Sequence, residues 1–304
     1  MRFALSLTSA LLLAACARKD AAPAADTAAA ATPERVTMAE GFSTPESVLW
    51  DAEQQVWFVS NINGSPVAKD GNGFISRLNR DGGVESLQFV AGGKNNAVLN
   101  GPKGLALVGD TLWVADIDAV RGFNRRSGAV VATVEFGAQA KFLNDVAVGP
   151  DGTIYITDTG VAMDDKGFTH PGPDRVFALT GRKFTVVLEG DWLARPNGIA
   201  WDEANARFII APFGGSAITG WKPGETTVDT LGTGPGGFDG VEVLGGEIYV
   251  TSWADSTLYA LGVGGMRKVA TGMNSPADIG IDPTRDLIAI PLFMENRVEV
   301  WRVR

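Results

Sequence analysis

From residue 45 onward, apolar residues come in short runs separated by Gly-Asp, Pro-Asp-Gly and Gly-Gly turns. Several runs alternate apolar and polar positions, the two-residue period of half-buried strands. "SVLWDAEQQVWFVSN" holds two such runs around a polar turn, and "GFISRLNRDGG" and "VESLQFV" supply a third and a fourth. The order returns in "GLALVGDTLWVAD", "DVAVGPDGTIYITD", "GIAWDEANARFIIAP", "GVEVLGGEIYVTS" and "DIGIDPTRDLIAIP", each followed by further short runs. These units start about 40–57 residues apart, the spacing of propeller blades. No 3.6-residue helical period persists beyond the first residues.

The pattern predicts an all-β fold, a six-bladed β-propeller over residues 34–304. Its last unit ends in "RVEVWRVR" with no fourth strand. At the other end, "ERVTMAEGFSTPESV" resembles "MRKVATGMNSPADI", a fourth strand leading into a first. The N-terminal strand is therefore expected to complete the last blade, closing the ring and removing its exposed sheet edges.

Composition changes this picture at the N-terminus. Met1-Arg2 is followed by a mostly apolar stretch from Phe3 to Leu13 and then by Leu13-Ala14-Ala15-Cys16. The stretch is shorter than the ~20 residues of a membrane span and suits a signal-peptide core. Its end resembles a bacterial lipobox. Residues 1–15 are thus expected to be a lipoprotein signal peptide, with Cys16 lipidated. Residues 16–33 then form an Ala/Pro-rich tether too poor in bulky apolar groups to fold. The expected location is the bacterial cell envelope, facing the periplasm, with membrane contact through the lipid alone. Ala17, rather than aspartate, after the cysteine points to the outer membrane. Cys16 is the only cysteine, which excludes an intrachain disulfide. A formal net charge of −9 excludes an electrostatic nucleic-acid binder.

Candidate chemistry comes from the repeat phase. In a propeller the residue just before each innermost strand reaches the central axis. That slot reads Glu46, Lys103, Asn144, Asn197, Asp239 and Ala277. Four are oxygen donors, two of them carboxylates, a set suited to a hard divalent cation. Asn-Gly and Asp-Gly are also ordinary turn dipeptides, so the phase, not any single pair, carries the signal.

With Glu46 in "TPESVLWD", Asn144-Asp145 in "FLNDVAVGPDG", Asn197-Gly198 in "RPNGIAWD" and Asp239-Gly240 in "FDGVEV", the chain resembles the senescence-marker-protein/gluconolactonase/luciferin-regenerating family. The likeness covers about residues 34–304. It extends more distantly to paraoxonases and diisopropylfluorophosphatase. The resemblance implies that Glu46, Asn144, Asn197 and Asp239 hold a catalytic divalent metal. Ca²⁺ is the expected ion, with Zn²⁺, Mn²⁺ or Mg²⁺ as alternatives. It implies hydrolysis of a lactone or related ester, a small-molecule substrate, with Asp239 or Asp145 handling protons.

The chain also departs from that pattern. Phe142 stands where many sugar-lactonase relatives carry arginine, so an apolar or differently charged substrate is expected instead. His170 is the only histidine, which excludes a paraoxonase-type pair; it is either a surface residue or part of a lid. Lys103 can pair with Glu46 or Asp239 in place of a cation, act as an electrophilic group beside one, or extend to solvent. The first case would favour a non-catalytic binding propeller for a small molecule, glycan or protein. Residues following the second strands give the expected substrate contacts: Asn61, Asp116, Asp158, Phe213, Trp253 and Phe293. The aromatic ones can equally pack between blades.

Overall fold

The computed structural model describes residues 32–304. The expected signal peptide, the Cys16 lipidation site and the tether as far as residue 31 lie outside the described residues. The rest is a β-propeller of six four-stranded antiparallel sheets, as the repeat predicts. Innermost strands are Pro45–Asp51, Pro102–Val108, Leu143–Val148, Pro196–Asp202, Phe238–Leu244 and the short Gly280–Asp282. The N-terminal strand Glu34–Glu40 pairs antiparallel with Arg297–Arg302 and becomes the outer strand of the last blade. A small hairpin, Ala162–Asp164 with Gly167–Thr169, is inserted in the third blade.

The core lies between blades. Each of six apolar clusters joins two neighbouring sheets; one sets Val56, Phe58 and Ile75 of the first blade against Leu105, Leu112 and Val114 of the second. Trp57 and Val59, alternate residues of the same strand, face the last blade instead. A second strand buried on both faces must be apolar almost throughout, which is why "VWFV" shows no alternation. Outer strands, wet on one side, keep it.

What builds the axis is a shared irregularity. In five blades the innermost strand shifts register across the same two residues, such as Glu46-Ser47 and Asn197-Gly198. A bulge of this kind re-aims side chains out of the sheet. Hydroxyls of the second strands hold it. Thr157 Oγ1 accepts the Asp145 N–H at 2.9 Å and donates to the Asn197 carbonyl of the next blade at 2.6 Å. Thr251 repeats the bridge between the Gly240 N–H, at 2.8 Å, and the Ala277 carbonyl, at 3.0 Å. Ser60 accepts the Ser47 N–H at 2.9 Å.

The glycines of Asn197-Gly198 and Asp239-Gly240 are not turn glycines, and neither has a positive φ. They let neighbouring blades touch. A Cβ on Gly198 would run into the Asp239 carbonyl, and one on Gly240 would stand 2.5 Å from the Asp278 Cα. At the ring's seam, the Asp278 N–H donates to the Glu46 carbonyl at 2.8 Å and Ser47 Oγ donates to Asp278 Oδ2 at 2.5 Å.

Replacing either bridging hydroxyl should leave a buried N–H and a buried carbonyl unpaired. Thr157→Val and Thr251→Val are each expected to lower unfolding free energy by about 1–3 kcal/mol. Thr169→Val, on the exposed hairpin, should stay within about 0.5 kcal/mol. Denaturant unfolding of the three variants checks this.

Candidate functional site

The bulges deliver Glu46, Lys103, Asn144, Asn197 and Asp239 to the floor of one cavity of about 460 Å³ on the propeller's loop face. All five are nearly inaccessible to solvent. Ala277, the sixth member of the ring, contributes no polar group; its N–H is spent on the Pro291 carbonyl at 2.9 Å.

The oxygens at the floor are incompletely satisfied. Glu46 Oε2, Asn197 Oδ1 and Asp239 Oδ1 are buried without a hydrogen-bond partner among the described residues. Asn144 is oriented by its Nδ2, which donates to Thr159 Oγ1 at 3.0 Å. Buried polar atoms are rarely left unpaired, and three such oxygens at one point on the axis are a donor set that suits a cation. Among the described residues no three His, Cys, Asp or Glu side chains group around a metal position. The donor set here is two carboxylates with two carboxamides, which suits a hard cation that accepts neutral oxygen ligands.

Lys103 does not neutralise this floor directly. Its Nζ donates to the Gly101 carbonyl at 2.9 Å and lies 4.2 Å from the centre of the Phe142 ring. Among the described residues, no carboxylate oxygen comes within 4.0 Å of it. Burial lowers its pKa to about 8, against the upward pull of Glu46, Asp116 and Asp158. The pairing of Lys103 with Glu46 and Asp239, which would have favoured a purely binding propeller, is not formed.

Burial pushes the acids the other way. The Asp239 pKa rises to about 8 through burial and then the nearby Asp145 charge, partly offset by the Asn197 and Trp253 side chains. Glu46 rises through burial and the Asp239 and Asp145 charges, with Lys103 opposing. Asp145 itself rises to about 6 through burial, tempered by bonds from backbone N–H groups.

Several expected site residues lie elsewhere. Asp145 does not line the cavity. Its Oδ2 accepts the Ile199 N–H at 2.7 Å and its Oδ1 the Val146 N–H at 2.6 Å, so it fastens the bulge instead of facing substrate. Asn61, Asp116 and Asp158 are fully buried loop anchors, not substrate contacts. Asn61 Oδ1 accepts the Ser43 N–H. Asp116 Oδ1 takes the N–H groups of Asn100 and Gly101, and Asp158 Oδ1 those of Phe142 and Gly160. The end of a second strand is where the preceding loop turns back, and a carboxylate there satisfies its backbone donors.

Phe213, Trp253 and Phe293 do line the cavity. They come from three successive blades; Phe213 meets Trp253 edge to face with centroids 5.6 Å apart, and Trp253 meets Phe293 at a tilt with centroids 5.4 Å apart. They pack against one another between blades and also wall the cleft. Trp253 Nε1 is buried with no partner.

Sequence reasoning missed other groups. Arg195 and Thr159 line the cavity, as do Val161 and Phe168 around the inserted hairpin. Arg195 sits in a left-handed turn, φ 59°, held by its N–H to Asp174 Oδ2 at 2.6 Å. His170 Nε2 lies 2.6 Å from the other oxygen of Asp174, which places this histidine as a loop anchor beside the mouth. Two more acids on the axis, Asp278, buried, and Glu242, half-buried, have raised pKa values, Glu242 to about 8, both through desolvation first and then Asp145. The position after each ring residue held the signal for Asp278: it reads Ser47, Gly104, Asp145, Gly198, Gly240, Asp278.

These shifts have a sign that stability should report. An acid whose pKa is raised by folding keeps its proton in the native state while the unfolded chain has lost it. Between about pH 4, the ordinary carboxylate value, and about pH 8, the Asp239 and Glu242 value, stability of the cation-free protein should fall as pH rises. Thermal melting in chelator should show the decline. Asp239→Asn and Glu242→Gln should each flatten it and raise Tm at pH 8 more than at pH 5.

The fold recurs in distantly related chains. A gluconolactonase from Xanthomonas campestris superposes with a TM-score of 0.65 at 16% identity, over 89% of this chain and 91% of that one. A structural-genomics protein provisionally named a gluconolactonase gives 0.65 at 16%, over 91% and 93%. A chain of the nidogen/laminin complex gives 0.57 at 18%, over 72% and 76%. No curated protein sequence matches. These likenesses establish the propeller and leave activity open. The model of the SMP-30/gluconolactonase/LRE-like region, however, matches residues 44–259, a span that carries every oxygen donor of the axial ring, and the chain belongs to that family.

Proposed function

We propose that the protein is a divalent-cation-dependent hydrolase of lactones or related esters, with Ca²⁺ as the favoured ion. The carrying observation is the trio of partnerless buried oxygens on Glu46, Asn197 and Asp239 at the floor of an otherwise apolar cavity. Glu46, Asn144, Asn197 and Asp239 would hold the ion. A bound cation supplies Lewis-acid polarisation of the ester carbonyl and lowers the pKa of water.

The chain's own groups do the rest. Asn144, fixed by Thr159, and Asn197, fixed through its backbone by Thr157, present neutral oxygens that orient without adding charge. Asp239 is one of two acids lining the cavity, with Glu46, and takes the proton-accepting role that Asp145, tied to backbone donors, cannot. Lys103 holds its ammonium beside Gly101 and Phe142, where it can give a proton to the departing alkoxide. The aromatic walls exclude bulk water, which strengthens each of these charges. In the cell we place this domain on a lipid anchor at Cys16 facing the periplasm, a location that metabolic labelling with palmitate would test.

Chelation should abolish lactone hydrolysis by at least ~100-fold, and Ca²⁺ should restore it. Calcium at a hundred times its Kd should also stabilise the fold by about 2.7 kcal/mol. Glu46→Gln and Asp239→Asn should remove that thermal shift. A protein that gains no stability from any divalent ion and hydrolyses no lactone would sink the proposal.

Lys103→Met should lower kcat by about 10²–10⁴, the range for a proton-transfer group, with a much smaller change in KM. In the native enzyme kcat should decline on the alkaline side as the ammonium is lost. A bound cation's charge moves that limb to or below the value of about 8 that burial sets. The pH profiles of wild type and variant decide it.

A further inference from the structure

We infer, resting on the lactonase reading above, that the substrate is a lactone bearing an alkyl or aryl substituent and not a polyhydroxylated sugar lactone. A sugar lactone carries several hydroxyls, and each one stripped of water without a partner costs roughly ten- to a hundredfold in affinity.

The cavity offers those hydroxyls little. Above the floor its walls are Ile62, Pro66, Phe142 and Val161 on one part and the Phe213–Trp253–Phe293 row on another. The polar side chains nearest the walls are already committed. Thr159 Oγ1 accepts from Asn144 and donates to the Pro196 carbonyl at 3.0 Å. The Lys103 ammonium gives one N–H to Gly101 and is covered by the Phe142 ring, and at the floor it serves the lactone's leaving oxygen, not hydroxyls on a substituent. Among the described residues, the unpartnered wall donors are Arg195, at the mouth and exposed to water, and the single Nε1–H of Trp253, too few for several hydroxyls.

The mouth argues the same way independently. Phe168 and Met294 line the cavity yet are 61% and 64% exposed. Large apolar side chains held open to water around a cavity mark an apolar ligand surface. A substituent entering past them would rest on the aromatic row, with the lactone ring left over the polar floor.

The test compares three lactones of one ring size on the calcium-loaded protein: unsubstituted, alkyl- or phenyl-substituted, and polyhydroxylated. The substituted lactone is expected to exceed the polyhydroxylated one in kcat/KM by at least ~100-fold, two hydroxyls' worth of lost solvation. Phe213→Asn and Phe293→Asn should lower the substituted lactone's kcat/KM at least about fivefold more than the unsubstituted lactone's. Phe213→Leu, which keeps an apolar wall and controls for folding, should retain most of the preference. Equal or better turnover of the polyhydroxylated lactone overturns the inference, as does an equal loss for substituted and unsubstituted lactones in the Asn variants. If no lactone is hydrolysed, calorimetry with the corresponding lactams separates the two readings. Binding of the substituted lactam alone supports an apolar site while sinking hydrolysis; binding of neither, or of the polyhydroxylated one, overturns both.

Discussion

The two-residue bulge at the start of the innermost strands is the feature on which this molecule turns. Without it the residue at that point would lie in the sheet and point toward a neighbouring blade, as Val48 and Leu49 do a few positions later. With it, Glu46, Lys103, Asn144, Asn197 and Asp239 leave the sheet and meet at the axis. The bulge is kept by hydroxyls that reach across blades, so the bonds that close the ring are the bonds that aim the site. Fold and site therefore share one set of interactions, and a loss at Thr157 or Thr251 is felt by both.

This arrangement also explains where charge is tolerated. Apolar burial is complete between blades, where the six clusters lie, and leaves the axis to polar groups. Acids placed there lose water without gaining equal partners. Asp145 and Asp278 recover part of the loss through bonds from Ile199, Val146 and Ser47. Glu46 and Asp239 each keep a buried oxygen with no partner. The distinction separates acids that brace the scaffold from acids exposed to a ligand, although all four share the axis.

Much of this was legible in the sequence because the repeat carries it. Strand order, blade number and closure by the N-terminal strand follow from runs whose period recurs six times, and the axial slot follows from the same phase. The phase says which residues converge but not how their side chains are spent. Asn61, Asp116 and Asp158 sit at the right end of their strands, and only the path of the preceding loop shows that they hold backbone N–H groups. Asp145 is a case of the same kind: one residue beyond the ring, its oxygens go to the backbone N–H groups of Ile199 and Val146. Arg195 and Phe168 escaped notice because they belong to loops that break the repeat, where periodicity offers no guide.

The cluster of raised acids joins proton and cation equilibria. The Asp145 charge raises the pKa values of Glu46, Asp239 and Asp278, and Glu46 and Asp239 add to that of Asp278, while the Lys103 ammonium pulls Glu46 down. Ionising these acids without added positive charge is opposed by burial and mutual repulsion together. On the proposed reading, a divalent cation would reverse both, since it would reward the charged forms and meet the unpartnered oxygens of Glu46 and Asp239. Cation binding at the ring must then expel the protons that burial retains, and so must weaken as pH falls. On the proposed reading, the same carboxylates that destabilise the cation-free fold near neutrality would give the ring its hold on an ion, so the cost of burying them would return as binding energy.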